Sequence, residues 1–487
     1  MTQILYRSAF ELAKDIKAGT LSSERVLDFY LDRIQRFNPA LNAVVAMDID
    51  AARARAKAAD LAAGRGEDWG PLHGVPITVK DALATQGLVT VGGIPARAGQ
   101  VPETDAVSVA RYRAAGAIIV GKTNVPFMSA DLQSYNEVYG VTNNPWNVER
   151  TCGGSSGGAA AALAAGLSAL EVGSDIGGSI RTPAHFNGIF GHKPSYGIVS
   201  QQGHIPPGQT VITESDLSVV GPLGVCAADV AQALDVLLGP GSLDSKAWRV
   251  DLPPPRFQSI GDLRVAVWAD DEFCPVDEDI RDAIVAAGRS LEAAGASVDF
   301  EARPKFDLAE NHRTYLRLMM SVMGAGMPQS VFDMAQKVAA SADPNDHSDS
   351  LEQMRGIAMS HRDWAKASEQ RLKNRAEWER FFEQYDVVLC PCAPATAFAH
   401  DHTPDMSARH LTINGEQRPY TDMMRWAGVT LNAGLPASVA PVGMSRDGLP
   451  IGVQIAGAYL EDKTTLAVAA LLEQHHQGFV PPPGYAH

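Results

Sequence analysis

The stretch Gly74-Val75-Pro76-Ile77-Thr78-Val79-Lys80 is an apolar run of strand length that ends on a lysine. Val107 to Ala115 then reads as a helix, and Ala117 to Val120 as a second short apolar run. Strand, helix, strand is the repeating unit of α/β proteins with parallel pairing. A further unit runs through the Ala-rich helix near Gly158 to Ala165 and the short run Ala169 to Val172. Upstream, Ser22 and Ser23 are N-cap candidates for a helix that Asn38-Pro39 stops, and a second helix runs from Ala51 to Gly64. Downstream, Pro253-Pro254-Pro255 marks a surface connection. Leu263 to Trp268 and Ala296 to Phe300 read as strands around a helix from Asp277 to Ala294, and residues 307 to 383 as almost wholly helical. Val387 to Leu389, Ala437 to Val442 and Val453 to Ile455 are buried-strand candidates, and Leu466 to Leu472 a closing helix. These elements predict one large layered α/β domain over residues 1–487. Its central sheet is mixed and mostly parallel, with helices on both faces. Within it, 1–70 are N-terminal helices, 71–240 a Gly/Ser-rich core, about 300–385 a helical insertion, and 386–487 strands and a helix that complete the sheet.

The chain carries 41 Lys and Arg against 56 Asp and Glu, a formal charge of −15. That balance argues against nucleic-acid binding and against an anionic membrane surface, both of which need a basic footprint. At 45% apolar and 20% charged residues the composition is that of a globular protein rather than a disordered one. Met1 to Arg7 lacks the regions of a signal peptide, and no stretch is apolar enough to span a bilayer, so the expected location is cytoplasmic. Five scattered cysteines fit reduced thiols. Cys390 and Cys392, with His400 and His402 nearby, form the single metal candidate. Their spacing falls short of Cys-x-x-Cys, and the expectation is no metal.

Two clusters carry the chemistry. One is Gly153-Gly154-Ser155-Ser156-Gly157-Gly158, the other Ser174-Asp175-Ile176-Gly177-Gly178-Ser179-Ile180-Arg181. Glycines there let the backbone approach a partner and aim successive N–H groups at it. A phosphate is one such partner, but neither G-x-x-x-x-G-K-[ST] nor G-x-G-x-x-G is present. The other is a transient oxyanion, with Ser179 as nucleophile and the N–H groups of Ile176, Gly177, Gly178 and Ser179 around the oxygen. The base is either a histidine, His185 or His192, or a lysine stripped of water at a strand end, Lys80. Burial would lower such a lysine from its ordinary pKa of about 10.4 but is expected to leave it above histidine.

Together, Gly153 to Gly158, Gly177-Gly178-Ser179-Ile180-Arg181 and Gly74-Val75-Pro76-Ile77-x-x-Lys80-Asp81 resemble the amidase signature enzymes. The likeness extends through Gly121-Lys122-Thr123-Asn124, Thr142-Asn143-Asn144-Pro145-Trp146, Lys193-Pro194-Ser195-Tyr196-Gly197 and Gly448-Leu449-Pro450-x-Gly452-x-Gln454, and is weak from about 240 to 430. The resemblance implies the fold of that family and hydrolysis of carboxylic amides without metal or organic cofactor. It also implies a triad in which Ser179 is the nucleophile, Ser155, on a cis peptide, the bridging serine, and Lys80 the base. The family spaces its two serines 24 apart, as Ser155 and Ser179 are here. Asp175 and Arg181 are implied to support the loop, the alternative being an ordinary surface ion pair.

The substrate side is less defined. Phe127, Met128, Ser129, Tyr135 and Gly154 are the substrate-binding candidates, and Leu318-Met319-Met320 with Met323 reads either as pocket wall or as plain core. Small aryl or alkyl amides are the expected substrates, with esters and carbamates as further candidates and water as co-substrate. The resemblance also admits a glutamine-hydrolysing amidotransferase subunit that works with a partner on charged tRNA. Those subunits carry threonine at the position of Ile176 and an acidic pattern where this chain has Val125-Pro126-Phe127-Met128-Ser129, which favours a free-standing hydrolase. Homodimerisation is left open.

Overall fold

The strand Pro76–Lys80 delivers Lys80 to the interior, because all five of its residues are buried. The computed structural model describes residues 4–204 and 213–487. Pro76–Lys80 pairs in parallel with Ile118–Thr123, which pairs antiparallel with Val44–Met47 to complete a small sheet. Eight strands form the main sheet, in the order Ser297–Asp299, Arg264–Val267, Val387–Pro391, Pro450–Gly457, Ala437–Met444, Phe190–Lys193, Val219–Gly224, Glu171–Asp175. The Thr78 hydroxyl donates to Glu171 Oε1 at 2.6 Å, and Thr78 N–H to Ser168 Oγ at 2.9 Å, tying the small sheet to the edge of the large one.

The sheet is mixed, but the expectation of mostly parallel pairing is corrected. The first two pairings are parallel and the other five antiparallel. Strand–helix–strand patterning describes chain connections, whereas several sheet neighbours here, such as Ala437–Met444 and Phe190–Lys193, come from distant segments. A tight turn, with Ser445 N–H donating to Leu449 O at 2.8 Å, joins the two longest strands as a hairpin. A hairpin admits only antiparallel pairing.

Helices cover both faces. Ala227–Leu237, Glu278–Ala293 and Asp462–His475 pack on one, and Gly157–Ala164 with Arg181–Asn187 on the other. All eight residues of Gly157–Ala164 are buried. A Cβ on Gly158 would fall 2.3 Å from the Asn124 nitrogen, so the glycines admit a backbone contact that no side chain would allow. The helix predicted to stop at Asn38 instead runs Ser23–Leu41. Pro39 forfeits one donor in the last turn, which Asn42 N–H closes on Asn38 O at 2.7 Å. The insertion consists of Leu308–Gly324, Gln329–Ser341, Asp349–Ile357 and His361–Phe382. Among the described residues no helix is long and apolar enough to cross a membrane.

Candidate active site

Lys80, wholly buried at its strand end, has its Nζ 2.7 Å from Ser155 Oγ and 2.9 Å from Ser174 Oγ. Burial pushes its amine down to about 7, against the pull of the Asp175 and Glu171 carboxylates, which favour the ammonium. Among the described residues no carboxylate touches the amine to offset that burial. The Gly154–Ser155 peptide bond is cis. Ser134 braces this loop, donating to Gly153 O at 3.0 Å and accepting from Gly157 N–H at 3.0 Å.

Ser179 sits in the turn between Glu171–Asp175 and Arg181–Asn187. Its carbonyl accepts from Ser156 N–H at 3.1 Å, which brings the two Gly/Ser clusters together, although the Ser155 and Ser179 hydroxyls are not hydrogen-bonded to each other. Asp175 shapes the turn. Its carboxylate accepts from Gly178 N–H at 2.8 Å, Ile180 N–H at 3.0 Å and the Arg181 guanidinium at 2.8 and 3.0 Å. Burial alone would raise its pKa, but the Arg181 charge and these donors hold it at about 2. Both partners are wholly buried, so the surface ion pair is set aside. Arg181 also donates to Ala427 O, Thr430 Oγ1 and Gln454 Oε1, anchoring the turn to the C-terminal segment.

Of the four expected oxyanion donors, Gly178 departs from the reading, because its N–H is committed to Asp175. The N–H groups of Ile176, Gly177 and Ser179 have no acceptor among the described residues. Neither alternative base reaches the serines. His185 Nδ1 accepts from Gly452 N–H at 2.7 Å and its Nε2 faces Ala395 O, and burial lowers its pKa to about 4. His192 lies between Ser438 and Asp462.

Phe127 and Tyr135 line a cavity of about 430 Å³ together with Asp131, Met406 and Arg409. Lys80, Ser155 and Ser179 are not part of its lining. The Asp131–Gln133 backbone packs so closely on Gly154 that a Cβ there would meet Gln133 N at 2.6 Å. Met128 and Ser129 both have left-handed backbone, φ +53° and +56°, and the buried Ser129 hydroxyl has no partner among the described residues. Two successive non-glycine residues in that region are a strained arrangement of the kind that gathers at functional sites.

The insertion reaches the site in a way its sequence did not announce. Tyr315 Oη donates to Ile176 O at 2.9 Å, and Ile176 packs in an apolar cluster with Met319, Met320, Met323 and Met424. Of the Met stripe, Leu318 and Met319 are buried core, and Met320 and Met323 are partly exposed. Cys390 is buried in the main sheet and Cys392 just past its strand end, while His402 stacks on Tyr135 at 3.9 Å, and no metal-holding group of these residues assembles among the described residues. Sequence reasoning missed Ser134, Tyr315 and His204, whose contacts join segments with no spacing rule, and quoted Gln454 only within a motif. It quoted Ser174 only as part of a loop.

The family model for amidases matches residues 25–466. The chain belongs to that family of amide hydrolases. It is 34% identical to a glutamyl-tRNA(Gln) amidotransferase component from Synechococcus sp. strain CC9605, over 96% of each chain. Identity to the indoleacetamide hydrolase of Bradyrhizobium diazoefficiens is 33%, over 95% of this chain and 86% of that one. The solved structure of a bacterial aryl acylamidase superposes with a TM-score of 0.81 at 26% identity, covering 99% of this chain and 98% of the other.

Proposed function

We propose that this amidase is a serine hydrolase whose acyl-enzyme forms on Ser179. Neutral Lys80 takes a proton from Ser155, and Ser155 takes one from Ser179 as its oxygen attacks the amide carbonyl. The oxyanion meets the N–H groups of Ile176, Gly177 and Ser179. The proton returns through Ser155 to the leaving amine, and water repeats the cycle on the ester. The single observation that carries this reading is the buried Lys80, hydrogen-bonded to Ser155 and held near neutrality at about 7. Asp175 and Arg181 hold the loop.

Small aryl or alkyl amides are the substrates this reading favours, with esters and carbamates as further substrates. The apolar cluster around Ile176 and the exposed Phe127 and Met128 support it, as does the likeness to an aryl acylamidase and an indoleacetamide hydrolase. The similarity to an amidotransferase component supports a second reading, glutamine hydrolysis in a complex. The apolar packing of Ile176 favours the first.

The test is a serine-directed phosphonate, with the labelled peptide read by mass spectrometry. Labelling of Ser179 that vanishes in Ser179→Ala, together with loss of turnover in a folded variant, supports the assignment. Labelling that persists in Ser179→Ala refutes it. Turnover of glutamine in preference to anilides by the isolated chain would move the reading to the second function.

A further inference from the structure

Behind Lys80 lies a polar chain that the triad does not use. Ser174 Oγ is 2.9 Å from Lys80 Nζ and 2.7 Å from His204 Nε2. His204 is itself fastened beside the end of the lysine's strand, bridging to Leu83, with Ala84 N–H donating to Gly203 O at 2.9 Å. A chain of amine, hydroxyl and imidazole can be polarised in two ways, because a hydroxyl has one proton to donate. In one, the His204 Nε2 proton points at Ser174, and the Ser174 hydroxyl then donates to the lone pair of neutral Lys80. That leaves Lys80 only N–H groups to offer Ser155. In the other, Nε2 is bare and accepts the Ser174 proton. Ser174 then accepts an N–H of Lys80, and the lysine lone pair is left for Ser155. Only the second arrangement lets Lys80 act as a base.

We infer that His204 is a positioning residue that, through Ser174, aims the Lys80 lone pair at Ser155, in the tautomer with its proton on Nδ1. The inference rests on the reading of Lys80 as the base. Burial and the neighbouring lysine hold the imidazole at about 3, which keeps it uncharged and leaves Nε2 able to accept. Because His204 acts on orientation rather than on the reacting carbonyl, its loss should appear in kcat and not in KM.

The direct measurement is the ¹⁵N shift of His204 in the labelled wild-type protein, assigned by the resonance that disappears in His204→Gln. An unprotonated Nε2 is the expected result, and a protonated Nε2 overturns the inference whatever the variants do. Kinetically, Ser174→Ala and His204→Ala should each lower kcat by about 10–100-fold, the range commanded by partners that orient a reactive ligand, with KM within about twofold. The double variant should be no worse than the poorer single, because both act through one hydroxyl. Ser174→Thr, which keeps the hydroxyl, and His204→Gln, which offers a carbonyl acceptor, should recover most of the rate. Additive losses, or unchanged kcat in His204→Ala, overturn the inference. Phosphonate labelling of wild type separates the two levels: no label on Ser179 sinks the reading of the site, whereas a labelled Ser179 with indifferent His204 variants sinks only the role of His204.

Discussion

Lowering the pH through neutrality should switch off amide hydrolysis by protonating Lys80. The base must be neutral to accept the Ser155 proton, so activity is present above its pKa and lost below it. At its ordinary value of 10.5 the amine would be neutral in only about 3 molecules in 10,000 at pH 7. Burial to about 7 makes that fraction about one half, a gain of about three orders of magnitude in usable base. The assay is kcat/KM for an aryl anilide across about pH 5 to 9, with a plateau above the inflection and a fall of about tenfold per pH unit below it. A second buried group complicates the assignment, since burial raises Glu171 to about 7 as well. Temperature separates them: an ammonium loses its proton with a large enthalpy and a carboxylic acid with almost none. Warming should therefore move the inflection to lower pH. In Glu171→Gln it should persist and shift downward, because a carboxylate that favours the ammonium has gone. A flat profile through neutrality, an inflection near 4 as for His185, or one unmoved by temperature would refute Lys80 as the base.

Lys80→Ala should damage amide hydrolysis at least about tenfold more than hydrolysis of a nitrophenyl ester with the same acyl group, as a positioned acid or base is worth about 10²–10⁴. An amide needs its nitrogen protonated before it departs and a nitrophenolate does not, so equal losses in kcat/KM would show that Lys80 delivers no proton to the leaving group. Asp175→Asn strands the Arg181 charge in a wholly buried site and should cost about 3–5 kcal/mol in urea unfolding. A change below about 1 kcal/mol, the scale of an exposed pair, would mean the pair is not buried as described. Gly154→Ala forces a methyl group into the Asp131–Gln133 backbone and should destabilise the chain by about 1–3 kcal/mol or more with loss of turnover, and a variant of wild-type rate would refute that packing.

Features that are local in the chain were legible in its sequence. Apolar periodicity placed most strands and helices within a few residues, and the glycine clusters marked backbone approaches that a Cβ at Gly158 would block. The order and spacing of Lys80, Ser155 and Ser179 pointed to the family, since a strand end, a Gly/Ser turn and a loop donor row are each short-range structures. What emerged only on folding is non-local. Part of the sheet's antiparallel pairing joins strands far apart in sequence, such as Ala437–Met444 with Phe190–Lys193, and no local pattern announces it. Gly178 dropped out as an oxyanion donor because Asp175 folds back onto it. Tyr315 reaches Ile176 across 139 residues, and His204 meets Ser174 across 30. The fall of the Lys80 amine to about 7 is likewise a property of packing. An ionisation equilibrium depends on how completely water is excluded and on which charges stand nearby, and both are set only when segments distant in the chain close around the group.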